Sequence, residues 1–499
     1  MTDYDLAVIG GGLNGVSLAR DAVGRGLRVI LLEQGDLGHG ASSATSRLIH
    51  GDLAALERSR FLRVRAALSE RNIWLDIAPH LVRPARFAIP ALANERPPWR
   101  LSAALLLYDA LGMPLRLPAA TTVDVTHHPL GNALKRPIGT AFEYSDCVVD
   151  DSRLVVLTAL DAAERGAEIC TGARCVRADR DSIWRLVVID RGHRRIVTAR
   201  ALANATGAWS ASTAATILRL PPPLMTATQV SQIVVPRLFD VDAVYVFQTS
   251  DRRLIFASPY HQDFTLIGTV MHDFKGDPAA VTVPAADVAY LCHAANRYFR
   301  AQIQPVDVIR TICGANMVPA RHGHPAAMTG VTSFDSRRKQ APLLTMFGGD
   351  VTTVRRRAER AISELTPFYP MSRRWTATAT LPGGDFAWHR FDAEVEAARE
   401  RWRFLGELEA QRLVGAYGSR LPDILGQADS RAELGQSFGP DLSEAEVRYL
   451  MTREWARFPD DVLWRRSKLG LTMTPAQCEA LAAFMAKPLV TSSAEHAQQ

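Results

Sequence analysis

Leu6-Ala7-Val8-Ile9-Gly10-Gly11-Gly12-Leu13-Asn14-Gly15 lies five residues from the N-terminal Met and decides how the rest of the chain is read. Four apolar residues give a short buried strand. Gly10, Gly12 and Gly15 follow in the spacing G-x-G-x-x-G and open an alanine-containing helix to about Gly24. A second strand, Arg28 to Leu32, ends in Glu33. This order describes a dinucleotide-binding unit. The glycines make a tight turn and let backbone approach a pyrophosphate, the helix N-terminus faces its charge, and Glu33 accepts the ribose hydroxyls. The glycine triplet alone would be a weak signal; strand, helix, second strand and acid together outweigh a plain glycine-rich turn.

Working outward, 499 residues suffice for two or three domains, and 47% hydrophobic with 22% charged is ordinary for a globular protein. No run of eighteen apolar residues occurs, so no bilayer span is expected, and the first strand leaves no room for a signal peptide. Six cysteines without C-x-x-C pairs or His/Cys metal spacing point to reduced thiols in a cytoplasmic setting, and to no metal site. The net charge of +6 is small for this length. Arginine clusters such as Arg355-Arg356-Arg357 read as solvated faces, so nucleic acid is not an expected partner.

After Glu33, the run Gly40 to Gly51 is rich in small and hydroxylated residues, suited to threading along an extended cofactor. A nicotinamide enzyme usually places its next strand-helix unit here, whereas flavoproteins run a loop along FAD. Asn204-Ala205-Thr206-Gly207, at the end of the apolar strand Ala201-Leu202-Ala203, strengthens the FAD reading. Phe61 to Ala78 has helical periodicity. Ala103 to Leu107 is too short to cross a membrane; beside Trp99 and Arg100 it reads equally as a buried helix or as a contact with a bilayer surface. Glu143 to Asp151 leads from strand to helix with acids to cap the start. From about 225 to 340 the chain alternates like an antiparallel sheet covering the flavin face. Phe347-Gly348-Gly349-Asp350 then leads into a helix from Val354 to Leu365, whose first N–H groups face the flavin.

The expected architecture is therefore α/β. An FAD-binding Rossmann-type domain carries an antiparallel-sheet substrate domain, and a C-terminal α-helical domain follows. Residues 1–375 form the oxidoreductase unit, with FAD-binding segments 1–80, 140–220 and 340–370 and a substrate-side sheet over about 81–139 and 221–339. Residues 381–487 form the helical domain and 488–499 a tail. Within the helical domain, Ser443-x-x-Glu446 and Thr474-Pro475-x-Gln477 have capping-box spacing.

The N-terminal fingerprint, the Ala41-to-Gly51 loop, Glu143-Tyr144-Ser145-Asp146-Cys147, Asn204-Ala205-Thr206-Gly207, Lys275-Gly276-Asp277-Pro278, Phe347-Gly348-Gly349, Glu454-Trp455 and Leu463-Trp464-Arg465-Arg466 together resemble the FAD-dependent glycerol-3-phosphate dehydrogenases. The resemblance covers nearly the whole chain except the tail. It implies oxidation of an sn-glycerol 3-phosphate-like small molecule, hydride transfer to FAD and electron delivery to quinone. Peripheral contact with the inner face of the membrane and a homodimer are further expectations. The cofactor-facing set is Gly10, Gly12, Asn14, Gly15, Glu33, Ser42, Ser43, Arg47 where lysine is usual, Leu48, Cys175, Ala205, Gly207, Gly349, Asp350, Thr352 and Thr353. His50 and Arg321 are the candidate catalytic residues.

The substrate-facing positions depart from the resemblance. Where the family reads His-Gly-Gly-Leu-Arg-Tyr-Leu, this chain reads His50-Gly51-Asp52-Leu53-Ala54-Ala55-Leu56. A family histidine is Gln232, two arginines are Asn316 and Gly330, and a lysine is Asp350. Charge-assisted donors to a phosphate are worth about 1.5 to 3 kcal/mol each, so losing even two implies roughly a hundredfold weaker phosphate binding. Arg321, His322 and His324 lie nearby in sequence to compensate. Three readings stay open: a dehydrogenase or oxidase of another, less anionic alcohol or amine; a glycerol-3-phosphate dehydrogenase with a rebuilt phosphate site; and a flavin-binding protein without turnover.

Overall fold

The computed structural model describes residues 2–90, 98–135, 139–222, 225–249, 251, 253–319, 331–336 and 340–487. The N-terminal strand β1 (Tyr4–Ile9) sits in the middle of an eight-stranded sheet, between β2 (Val29–Glu33) and the strand His193–Asn204. Glu168–Thr171 lies outside β2, and Leu343–Phe347 lies beyond His193–Asn204; these five pair in parallel. Such a sheet must be covered on both faces, which is why Leu6 to Ile9 and Val29 to Leu32 are continuously apolar rather than alternating. Helices α1 (Leu13–Gly24), α4 (Asp151–Glu164) and Val354–Ser363 cover one face. The antiparallel hairpin Ala173–Arg180 with Trp184–Asp190 leads into His193–Asn204 and helps cover the other.

A second, nine-stranded sheet lies over the first. Its order runs from Arg310–Pro319 through Met225–Pro236, Phe264–Phe274, Leu254–Tyr260, Ala243–Gln248, Val82–Pro90 and Thr140–Val149 to Leu48–Ile49. Its pairings are antiparallel except for Ala243–Gln248 against Val82–Pro90, which the alternation in the sequence does not distinguish. Thr140–Val149 belongs to this sheet rather than to the cofactor sheet, because its far end pairs Val148 with Leu48. Val331–Asp335, conversely, pairs with Leu343–Phe347 and extends the cofactor sheet.

Helix α2 (Phe61–Ile77) falls where the periodicity places it. It is fastened by buried ion pairs at two adjacent residues: Glu70 with Arg355 at 2.7 Å, and Arg71 with Asp146 at 2.8 Å. The apolar run around Leu105 forms helix α3 (Pro98–Leu111), which buries Leu105 and Tyr108 but leaves Trp99, Leu106 and Leu107 exposed.

The C-terminal domain packs Phe391–Arg401, Glu407–Tyr417, Glu444–Arg453 and Pro475–Met485 around one apolar core. Thr474 completes its capping box with Gln477. Ser443 accepts from the Glu446 N–H, but the Glu446 carboxylate turns instead to Arg412 at 2.7 Å and Tyr417. A buried guanidinium is a stronger partner than the N-cap backbone, so tertiary contact overrides the local motif. This domain is tied to the cofactor domain by buried charges: Arg466 to Asp36, Arg153 to Glu454, and Lys468 to Asp150 at 3.2 Å.

Candidate active site

One cleft of about 530 Å³ runs between the two sheets, from Glu33 at one end to Asp52, Arg63 and Asn316 at the other. At the Glu33 end, the turn after β1 is built of glycines for stereochemical reasons. Gly10 has φ +108°, and a Cβ on it would come within 2.6 Å of the Ala205 carbonyl oxygen. A Cβ on Gly15 would lie 1.8 Å from the Gly10 carbonyl oxygen. The helix that follows starts at Gly12 with no side-chain cap and no acid in its first turn, so its positive end is left for an anion in the cleft.

Glu33 accepts from the Gly11 and Gly35 N–H groups at 2.7 and 2.8 Å. Burial nevertheless pushes its carboxyl above the usual range. Ser42 Oγ accepts from the Leu13 N–H at 3.0 Å, leaving its hydroxyl proton for the cleft. Asp151 Oδ2 holds the loop by accepting from the Thr45 N–H and hydroxyl at 3.1 and 2.9 Å. Cys175 lines the same end beside Arg174; burial pushes its thiol up to about 12, so it acts as a neutral wall.

In the middle of the cleft, Gly348 and Gly349 turn the chain into the helix Val354–Ser363, with φ +50° and +101°. Arg357 donates to the Gly348 and Phe347 carbonyls, both at 2.9 Å, and Asn14 donates to Gly348 O at 3.2 Å. Asp350 Oδ1 accepts from the Thr353 N–H at 2.8 Å and so fixes the turn that leads into the helix. An extended slot with an anion-binding helix end, an acid at one terminus and a second helix start at the middle matches adenosine, diphosphate and isoalloxazine in order. The residues present therefore fit FAD.

Fourteen of the sequence-predicted residues line this cleft: Gly10, Gly12, Asn14, Glu33, Ser42, Leu48, His50, Cys175, Ala205, Gly207, Gly349, Asp350, Thr352 and Thr353. Three do not. Gly15 serves the packing of α1 on the turn. The Ser43 hydroxyl turns back to the Gly40 carbonyl at 3.2 Å. Arg47, at φ +58°, points away to Asp151 at 3.4 Å and lies over the Tyr260 ring, a buried anion and an aromatic face drawing it off the cofactor. Arg321, with His322, His324 and Gly330, lies outside the described residues.

At the far end, His50 receives a sharp definition. Its N–H donates to Thr352 Oγ1 at 3.1 Å, and its Nδ1 accepts from the Asp52 N–H at 3.1 Å. A neutral His50 so held carries its proton on Nε2 and is a donor toward the cleft. Gly51 N–H donates to the Tyr108 hydroxyl at 2.7 Å, which donates to Asp146 at 2.6 Å, so α3 also fixes this turn. Of the positions that depart from the resemblance, Asn316 and Asp350 line the cleft, whereas Ala54 is exposed outside it and Ala55 is buried in the packing beneath α2. Gln232 is buried behind the loop, donating to Thr45 O at 2.7 Å. Ala54 and Ala55 therefore open no space in the cleft.

The residues missed by sequence reasoning are Asp52 and Arg63, whose side chains meet at 3.0 Å on the cleft wall, with Phe256, Thr269 and Met271 opposite the cofactor slot. Asp52 was visible as a substitution for glycine. Arg63 carried no signal, being one of two arginines, with Arg65, in the first turns of α2.

Residues 5–338 match the family described as FAD dependent oxidoreductase, and 374–496 match the C-terminal domain of alpha-glycerophosphate oxidase. The chain is 41% identical over 489 residues to a glycerol-3-phosphate dehydrogenase of Pseudomonas aeruginosa, covering 97% of this chain and 95% of that one. It is 39% identical over 487 residues to a D-erythritol 1-phosphate dehydrogenase of Brucella abortus, covering 95% and 96%. Among solved structures, the glycerol-3-phosphate dehydrogenase of Bacillus halodurans complexed with FAD superposes with a TM-score of 0.72 at 21% identity, over 97% of this chain and 93% of that one.

Proposed function

Because the chain belongs to the FAD-dependent oxidoreductases, within the glycerol-3-phosphate dehydrogenase family, we propose that it oxidises a small hydroxylated substrate less anionic than glycerol 3-phosphate. The observation that carries this reading is the charge at the substrate end of the cleft. Among the described residues there, the one guanidinium, Arg63, is already paired with Asp52, and Asn316 and Asp350 add no positive charge. A phosphate dianion would forfeit contacts worth about 1.5 to 3 kcal/mol each.

FAD supplies a two-electron acceptor for hydride. This chain's residues do the rest. Gly10, Gly12 and the uncapped start of α1 would hold the diphosphate, and Glu33 the ribose. The N–H groups at the start of Val354–Ser363, which borders the cleft, would favour negative charge on a reduced flavin ring bound there. Nε2–H of His50 donates to the substrate oxygen as it becomes a carbonyl. As the C–H bond gives up its hydride and the O–H bond its proton, the proton passes to solvent at the open end of the cleft, where Asp52 and Arg63 are each 27% exposed.

The test is anaerobic mixing of the holoenzyme with a panel of alcohols. Bleaching of the flavin band by an uncharged polyol faster than by sn-glycerol 3-phosphate is expected; the reverse order overturns the reading. The exposed Trp99, Leu106 and Leu107 on α3, with Phe61 and Leu62 on the neighbouring α2, further support contact with a membrane surface and electron delivery to a quinone. Among the described residues no helix is long and apolar enough to cross a membrane. Co-sedimentation with anionic lipid vesicles, lost on Trp99→Glu with Leu106→Glu, is the expected result.

A further inference from the structure

Resting on the reading of a less anionic substrate, we infer that the Asp52–Arg63 pair is the specificity determinant of the cleft and grips two adjacent hydroxyls of an uncharged polyol. Asp52 has φ +59° and ψ +63°, a left-handed conformation that glycine occupies without cost and that Asn and Asp adopt more readily than other residues. It precedes the short helix Leu53–Arg58 yet makes no side-chain cap to it. The carboxylate is thus not spent on the helix start, and its partner is Arg63 at 3.0 Å.

Both groups are held from behind. The Asp52 N–H is fixed to His50 Nδ1, and α2 is pinned by Glu70–Arg355 and Arg71–Asp146. Both side-chain ends remain partly exposed on the cleft wall, which His50 and Thr352 also line. An ionised carboxylate only accepts hydrogen bonds and a guanidinium only donates them, whereas each hydroxyl does both. Two neighbouring hydroxyls can donate to Asp52 and accept from Arg63, satisfying every group without adding charge. A phosphate or carboxylate would satisfy Arg63 but face repulsion from Asp52, and an ammonium would meet the opposite conflict. The pair thus selects for neutrality as well as for the diol.

The experiment compares three probes sharing a four-carbon hydroxylated frame: meso-erythritol, erythronate and erythritol 1-phosphate, which are neutral, singly and doubly charged. Flavin-band perturbation of the holoenzyme reports binding, and anaerobic bleaching reports turnover. Wild type is expected to respond to erythritol at the lowest concentration. Asp52→Asn and Asp52→Gly, the latter suited to φ +59°, should weaken erythritol about tenfold and tighten erythronate about tenfold, inverting the order. Arg63→Ala should weaken erythritol about tenfold without that gain. A wild-type preference for erythritol that survives both Asp52 variants overturns the role of the pair and leaves the proposed activity standing. Wild-type flavin that is silent to all three, or that favours the phosphate, overturns both.

Discussion

The two ends of the cleft are built on different principles. At the nucleotide end the contacts come from backbone: glycines at φ values and separations that leave no room for a Cβ, an uncapped helix start, and two N–H groups holding Glu33. At the substrate end they come from side chains on separate elements, with Asp52 on a loop, Arg63 on α2, and Thr269, Met271 and Asn316 on the second sheet. Backbone contacts constrain residue type to glycine and are hard to vary. Side-chain contacts can be exchanged one at a time without disturbing the sheet beneath. A family can therefore retain one cofactor while its members diverge in what they oxidise.

The hardest blow to the first end is Gly15→Ala. With a Cβ placed 1.8 Å from the Gly10 carbonyl oxygen, the turn cannot form, and the purified protein should lack the yellow flavin absorbance. A fully loaded variant would mean that side-chain contacts, not this turn, secure the cofactor. Arg466→Ala comes next. Asp36 lies just past Gln34 and Gly35 in the turn after β2, and although burial alone would raise its carboxyl, Arg466 and Arg465 hold it below the usual range. Because Arg465 still neutralises Asp36, removing Arg466 should cost about 1.5 to 3 kcal/mol, read as a lower midpoint in denaturant.

A subtler probe is His80, which lies just beyond α2 and is buried beside Gly383 and Phe386, away from the cleft. Burial, assisted by Arg153, pushes its imidazole down to about 3. The unfolded chain takes up a proton near pH 6.5 that the native state refuses. The contribution is thus present above that pH and lost as pH falls through it, by about 2 kcal/mol between pH 7 and pH 5. His80→Leu should flatten this part of the stability profile; a profile identical to wild type would refute the neutral buried imidazole. The smallest effect is expected from Asn316→Arg. Restoring one cation on the cleft wall should tighten sn-glycerol 3-phosphate about tenfold in flavin titrations. No change would show that the departures from the family pattern do not set selectivity there.

Much of the first end was legible in the sequence. Gly10, Gly12, Glu33, Ala205 and Gly349 sit where the motifs put them, because each is fixed by its own strand and turn. The Arg47 side chain turns to a carboxylate distant in sequence, Asp151, a direction no local pattern records. Glu446 left its capping box for Arg412 on the same grounds.

The amino-acid sequence by itself determined the cofactor fold, since periodicity and glycine spacing act over a few residues and need no distant partner. Only the tertiary structure decided that Ala54 faces outward, that Gln232 supports a loop, and that Asp52 meets Arg63 at the cleft. A side chain's direction and its partner depend on how α2 and the second sheet close over the first, and that closure is set by packing between segments far apart in the chain.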